Sequence, residues 1–221
     1  MSGIRVNETA MHRLLPSIAS TFGNPINFIE LGAHEGVDTY WLLQFLLSTR
    51  KPFNFVALEP DPRIVRPTLQ HVKSVNAAIA AYDGKTTLYL SGGTGDDGVP
   101  YSGSSSTRPP GLCSTYWPNM TFNETIDVPA ITLDTLCSQF GMNHVDFIWC
   151  DTQGCEIDVI QGGSRMLPRT KWFFTEYADG EIYKGQATFA QLKQMVPFMT
   201  VHTDMKGDAL FNNQIAIYAQ A

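Results

Sequence analysis

The sequence predicts an α/β protein with a doubly wound sheet of seven strands. The sheet is expected to be parallel except for one reversed C-terminal strand, and to carry an inserted hairpin and long loop. Three observations lead there. Short continuous apolar runs alternate with stretches of helical period, which indicates strands buried on both faces. Two of the earliest runs end in an acid followed by a turn. A Gly/Ser/Pro-rich segment interrupts the alternation only once.

Asn27–Leu31 (NFIEL) is the first strand, followed by a glycine-bearing turn and a helix from about Val37 to Leu47. Asn54–Glu59 (NFVALE) is the second strand, and Asp61-Pro62 is expected to open a helix reaching about His71. Val75–Ala80 reads as the third strand. Val145–Cys150 (VDFIWC) is a buried strand, with an amphipathic helix over Gly154–Gln161. Trp172–Glu176 (WFFTE), a helix around Thr188–Met195, and strands at Met199–Thr203 and Gln214–Ala219 complete the set. The last two are joined by DMKGDALFNN, which has no helical period, so they should pair as an antiparallel hairpin. Of the 21 residues from Ser91 to Gly111, 14 are Gly, Ser or Pro. That composition predicts a long loop at about 91–124, a mobile cover over the acceptor side of the pocket. No repeat is visible, and one domain over 1–221 is expected.

Composition narrows the function. Fifteen Lys and Arg against 21 Asp and Glu give a net charge of −6, with 43% apolar and 16% charged residues. The apolar content supports a substantial core. The negative balance, without a basic block, argues against a nucleic-acid partner. The longest apolar stretch, Tyr40–Leu47, is interrupted by Gln44 and is far short of the ~20 residues of a membrane span. The first twenty residues lack the continuous apolar run of an export signal, so a cytoplasmic setting is expected and the N-x-T matches at Asn7, Asn119 and Asn123 are read as chance. Cys113, Cys137, Cys150 and Cys155 form no CxxC pair; Cys150 and Cys155, at a strand end and a helix start, are read as buried thiols.

The chemistry is concentrated in FIELGAHEGVDT. Glu30 ends the strand, and Gly32, Ala33, His34 and Gly36 form the turn before the helix. A glycine there allows a ligand to approach the backbone, and a helix N-terminus attracts polar groups. In a dinucleotide fingerprint a glycine would stand where Glu30 does. An acid there would repel a pyrophosphate and suit a ligand with a cationic end. Glu59 follows Gly36 by 23 residues, in ALEPDP, at the strand end where a carboxylate can accept both hydroxyls of a ribose. Asp61 follows in the same turn. Asn76 and Ala77, in the third strand, lie on the same edge and could receive an adenine.

At these residues the chain resembles the FkbM-type S-adenosylmethionine-dependent methyltransferases. The resemblance runs through ELGAHEG, ALEPDP, NAAI and the Asp83-Gly84 pair, Gly103–Ser106 (GSSS), ITLDTL, DFIWCDTQGCEIDVIQGG and FFTEY, over residues 27–180. Its most specific block is DFIWCDTQGCEIDVIQGG, where the family carries D-x-E-G-A-E-x-x-x-L-x-G. Asp151, Gly154 and Glu156 match. Gln153 stands in place of an acid, Cys155 in place of a small residue, and His34 in place of a common Asn. The resemblance implies a Rossmann-like methyltransferase sheet, S-adenosyl-L-methionine as cofactor, and O-methylation of a sugar or other small hydroxylated acceptor.

Asp151 and Glu176, at the ends of the fourth and fifth strands of the sheet, are the candidate catalytic residues. Three readings stand side by side: a general base with its orienting partner, a pair of ligands for a divalent metal, or a helix cap with a supporting acid. His12, His71 and His144 read as surface residues. Trp149 and Trp172 read as core or loop anchors, and Trp117, next to Pro118 at the edge of the long loop, is the exception for which a substrate platform stays open. Two rival functions were weighed against methyl transfer. An NAD-dependent oxidoreductase is disfavoured by Glu30; a catalytically inactive binding module is left open by Gln153.

Overall fold

The computed structural model describes residues 4–96 and 98–218. In chain order its elements are α1 (Ile4–Ile18), β1 (Ile26–Leu31), α2 (Val37–Ser48), β2 (Phe53–Leu58), β3 (Val72–Val75), β4 (Ala78–Ile79), β5 (Gly84–Gly92), α3 (Cys113–Tyr116), β6 (Thr121–Ile131), α4 (Leu133–Gln139), β7 (Val145–Cys150), α5 (Glu156–Gly162), β8 (Thr170–Glu176), α6 (Phe189–Met195), β9 (Thr200–Asp204), β10 (Asp208–Asn212) and α7 (Gln214–Tyr218).

The main sheet has seven strands in the order β3-β2-β1-β7-β8-β10-β9. Pairing is parallel from β3 through β8, and β10 is antiparallel to both β8 and β9. The expected doubly wound sheet with one reversed strand is therefore present. Strands β1 and β7 are buried along their whole length because both faces are covered. Ile29, Leu31, Val56, Ile148 and Phe173 point into one core with Leu136, Val159 and Leu192 of α4, α5 and α6. Phe28, Phe55, Phe147, Trp149 and Trp172 point to the other side, against Met11 and Leu15 of α1 and Leu42 and Phe45 of α2. The inserted hairpin is β5 and β6, which pair antiparallel and take β4 as a third, parallel strand.

Four expectations are corrected. No helix follows Asp61: Pro60, Pro62 and Pro67 punctuate the segment, and Pro67 disfavours helical backbone at the residue before it. Asp61 there takes the Arg63 backbone N–H at 3.0 Å and closes a local turn instead. The single strand expected over Val75–Ala80 is divided, β3 ending at Val75 and β4 crossing into the small sheet. The C-terminal hairpin partner is Asp208–Asn212, inside the stretch read as a loop. Gln214–Tyr218 is helical, with Asn213 Oδ1 accepting the Ala216 N–H at 3.2 Å as its cap; Ala219 lies outside the described residues. The expected loop over 91–124 overlaps β5 at its start and β6 at its end, and holds the short helix α3.

All four cysteines are buried thiols. Trp149 and Trp172 are core residues, whereas Trp117 is 40% exposed. His71 is exposed, but His12 stacks on Trp41 at 3.8 Å and His144 is half-buried beside Asp146, so neither is a plain surface residue. Among the described residues no helix is long and apolar enough to cross a membrane.

Candidate active site

The register of the sheet assembles the site. Leu31 pairs with Leu58 and with Cys150, Cys150 pairs with Thr175, and Glu176 pairs with Asp208. One residue beyond the first three pairings, Glu59, Gly32, Asp151 and Glu176 form a row along the carboxyl edge, continued by Asp208. The four strand ends that carry the sequence-predicted acids are thus adjacent, at the edge where doubly wound sheets bind ligands.

On the left of this row is the glycine turn. Gly32 and Ala33 donate their N–H groups to Leu58 O at 3.0 and 2.8 Å, and Gly36, with φ +85°, starts α2. Gly32 has φ +87°, and a Cβ there would lie 1.8 Å from the Asp151 carbonyl oxygen. The glycine is thus required by the packing of two strand ends, whatever a ligand requires. Glu59 is buried; it accepts His34 N–H at Oε2 and Asp61 N–H at Oε1, both at 2.8 Å. Burial pushes its carboxyl above the usual range, against those two bonds. Two of its roughly four acceptor positions are used this way, which leaves capacity for a pair of hydroxyls.

Glu30 lies beneath the turn, 1% exposed, and accepts Thr39 Oγ1–H at 2.7 Å. Burial pushes its carboxyl up to about 8, so it is largely protonated at neutral pH. Asp61 is turned elsewhere: its oxygens accept Arg63 at 2.6 Å and Ser105 Oγ–H at 2.9 Å. Burial alone would raise its carboxyl, but these partners hold it below the usual range. Asp61 therefore anchors the inserted segment to the cofactor side. Ala77 is buried, and the exposed Asn76 accepts Arg66 at 2.7 Å. A cavity of about 350 Å³ borders Asn76, Arg66, Ser74 and Ile64.

On the right are Asp151 and Glu176, whose side chains are hydrogen-bonded to each other. Burial pushes both up; for Glu176 the neighbouring charges of Asp151 and Asp208 add to it, and its carboxyl is well above the usual range. Asp151 rises only to about 6, because Gln153 and Glu176 donate to its charged form. The pair thus holds one proton near neutrality, on Glu176, with Asp151 ionised. Gln153 Nε2 reaches Asp151 Oδ1 at 2.6 Å, and Tyr183 Oη–H reaches Gln153 Oε1 at 2.9 Å. Gly154 is matched to Tyr183: a Cβ there would lie 2.9 Å from the Tyr183 side chain. Glu156, below, takes Thr152 Oγ1–H at 3.2 Å and is pushed by burial to about 7.

Between the two halves lies the serine-rich segment, which is hydrogen-bonded to both. Ser102 Oγ contacts His34 Nε2 at 3.0 Å, Ser104 O accepts Tyr183 Oη–H at 2.9 Å, and Ser106 Oγ donates to Gln153 O at 2.7 Å. Each serine hydroxyl or carbonyl meets a different part of the site, which explains the density of serine. The sequence reading missed Tyr183, Arg66 and Asp208. None stands in a recognisable local pattern; only the bare Gly154 opposite Tyr183 hinted that something packs there.

Among the described residues no group of three or more His, Cys, Asp or Glu is arranged to hold a metal ion. An ionised carboxylate beside a protonated one fits the reception of a proton.

Comparison with known proteins identifies the family. Residues 30–204 match the model of the methyltransferase FkbM domain. The chain is 29% identical to 2-O-methyltransferase NoeI of Sinorhizobium fredii (strain NBRC 101917 / NGR234), over 96% of this chain and 89% of that protein. A crystal structure described as a ribosomal RNA methyltransferase of Plasmodium falciparum overlaps 92% of this chain and 96% of its own at 9% identity, with a TM-score of 0.43, a likeness too distant to bear on the activity. The chain belongs to the FkbM methyltransferase family. It is a methyltransferase, and its family implies S-adenosylmethionine as the methyl donor.

Proposed function

We propose that the chain transfers the methyl group of S-adenosylmethionine to a hydroxyl of a sugar or another small hydroxylated metabolite, with Asp151 as the general base. The observation that carries this reading is the carboxyl pair. Asp151 is ionised at neutral pH and Glu176, protonated, donates to it. The relative named for 2-O-methylation supports an oxygen acceptor.

The bound donor supplies an electrophilic methyl on a sulfonium. Glu59 would hold the ribose hydroxyls, Asn76 and Ala77 would border the adenine, and Gly32, Ala33, His34 and Gly36 would back the remainder, with Glu30 beneath them. Asp151 would take the acceptor hydroxyl's proton as the oxygen bonds to the methyl carbon, whose bond to sulfur would break and leave its electron pair on a neutral thioether. Glu176 holds the Asp151 carboxylate in place through the shared hydrogen bond. General-base catalysis of this type contributes ~10²–10⁴-fold, and positioning of the two reactants can contribute ~7–11 kcal/mol. Net charge −6 supports a small acceptor over a nucleic acid, and the buried thiols suit a reducing, cytoplasmic setting.

Calorimetry with S-adenosylmethionine, followed by transfer of labelled methyl to a panel of mono- and oligosaccharides, tests this. Binding with label on a sugar oxygen is expected. Absence of donor binding would refute it, and binding without transfer to any hydroxyl would favour an inactive module.

A further inference from the structure

We propose that Tyr183 is a positioning residue for Asp151, acting through the side-chain amide of Gln153. The proposal rests on the reading of Asp151 as the base, and it follows from the directions in which each group can donate. An ionised Asp151 accepts only, so the group 2.6 Å from its Oδ1 must be the NH₂ end of Gln153. The amide oxygen then points away and needs a donor, which Tyr183 Oη–H supplies at 2.9 Å. Reversing the amide would set its oxygen against the carboxylate.

Three features keep the amide in that orientation. Gln153 has φ +54°, a left-handed backbone that non-glycine residues adopt at a cost of ~1–2 kcal/mol, and Ser106 Oγ–H holds its carbonyl at 2.7 Å. Tyr183 is 4% exposed and packs beside Cys113, Met120 and Phe122, so its ring is fixed. The bare Gly154 leaves room for that ring to approach.

The hydroxyl proton has a second acceptor, Ser104 O, also at 2.9 Å. Once Asp151 has taken a proton, it can donate to the amide oxygen of a reversed Gln153. The amide NH₂ then donates to Tyr183 Oη, and the hydroxyl turns to Ser104 O. The Tyr183–Gln153 pair therefore satisfies both protonation states of Asp151 by exchanging hydrogen bonds, with no covalent bond of its own altered. The other titratable groups facing Asp151 are acids: Glu176 from β8, Asp208 from β10, Asp38 from α2, Glu156 from α5 and Glu30 from β1. No cation in that set can replace the amide as donor.

The test is an NMR titration of the full chain with ¹³C-labelled aspartate carboxyls, in the native protein and in Tyr183→Phe. Loosening the amide removes a donor from the ionised form, so the Asp151 midpoint should rise by roughly 0.4–1 pH unit. In turnover, kcat should fall by roughly 2- to 10-fold and its acid limb should move the same way, with the KM for S-adenosylmethionine unchanged. Gln153→Met should raise the midpoint as well, and adding Tyr183→Phe to it should change nothing further. An unchanged Asp151 midpoint in Tyr183→Phe, or an added shift in the double variant, would overturn the proposal. Because the titration needs no turnover, it stands apart from any failure of methyl transfer. Should Tyr183→Phe not fold, the Gln153→Met titration decides, and an unmoved midpoint there refutes it equally.

Discussion

Asp146 and Asp151 stand five residues apart at opposite ends of β7, and the protein treats them in opposite ways. Burial weighs first on each and pushes toward the protonated form. At Asp146 it loses. Lys171 lies 2.9 Å away, Gly23 and Asn27 donate backbone N–H groups at 2.7 and 2.8 Å, His144 stands at 3.4 Å, and the carboxyl is held below its usual range. At Asp151 it wins in part, because the surrounding groups are acids and only Gln153 and Glu176 donate to it. Depth in the fold therefore does not distinguish a structural acid from a reactive one. The partners do. The amino edge ties the connection after α1 and the start of β1 to the sheet through a neutralised charge, whereas the carboxyl edge gathers acids around Asp151.

That contrast can be broken by experiment. Asp146→Asn should have the largest effect, since it leaves Lys171, only 2% exposed, buried without its counter-ion. A loss of about 3–5 kcal/mol in urea unfolding is expected, with the methylation rate per folded molecule retained. A variant as stable as the native protein would remove the distinction. Asp151→Asn should do the reverse, lowering turnover by ~10²-fold or more while stability and donor affinity hold. Retained turnover would remove Asp151 from the catalytic machinery; the N-cap position of α5 is Cys155, and the Asp151 carboxylate does not serve as its cap. Glu59→Gln tests the donor side alone, where ~1.5–3 kcal/mol of S-adenosylmethionine affinity should be lost by calorimetry. Unchanged affinity would remove Glu59 from the site.

The contrast extends to the pH dependence of stability, where the two edges should oppose each other. Asp146 has a depressed pKa in the folded protein, so its contribution is present above the unfolded value of 3.8 and is lost as the pH falls through the lower folded value. Glu30, raised from 4.5 to about 8, contributes fully below 4.5 and loses that contribution as the pH rises through 8. Thermal unfolding should therefore ease toward low pH and, through Glu30, as the pH rises from about 4.5 to about 8, and Glu30→Gln should remove its share of the second decline and leave the acid one. A second decline left unchanged in Glu30→Gln would assign it to another group.

The strands were legible because a strand buried on both faces is a continuous apolar run, and the acids at their ends were legible because each directly follows such a run. Glu30, Glu59, Asp151 and Glu176 are all of this kind. The segment after Asp61 misled because Asp-Pro also opens helices, whereas here the side chain of Asp61 is drawn into a turn and a tertiary contact. The C-terminal helix misled because IAIYA alternates like a strand, and the true strand DALFN is short and bounded by polar residues. Tyr183 and the roles of the individual serines were hidden for another reason. Their meaning lies in partners 30 to 79 positions away, which no local period encodes.

The backbone contact between Gly32 and Asp151 has a consequence for how such a protein can diversify. The turn proposed to hold the donor and the strand end carrying the proposed base abut as main chain, with the space of one side chain denied between them. A mutation that displaces one displaces the other, so this junction should tolerate little drift among descendants of the chain. The inserted segment reaches the same edge through bonds that each depend on single side chains, Ser102 with His34, the Ser106 hydroxyl on the Gln153 carbonyl and the Tyr183 hydroxyl on the Ser104 carbonyl, which substitution can exchange one at a time. New acceptors can thus be acquired by rewriting the wall, while the geometry between methyl donor and base is inherited unchanged.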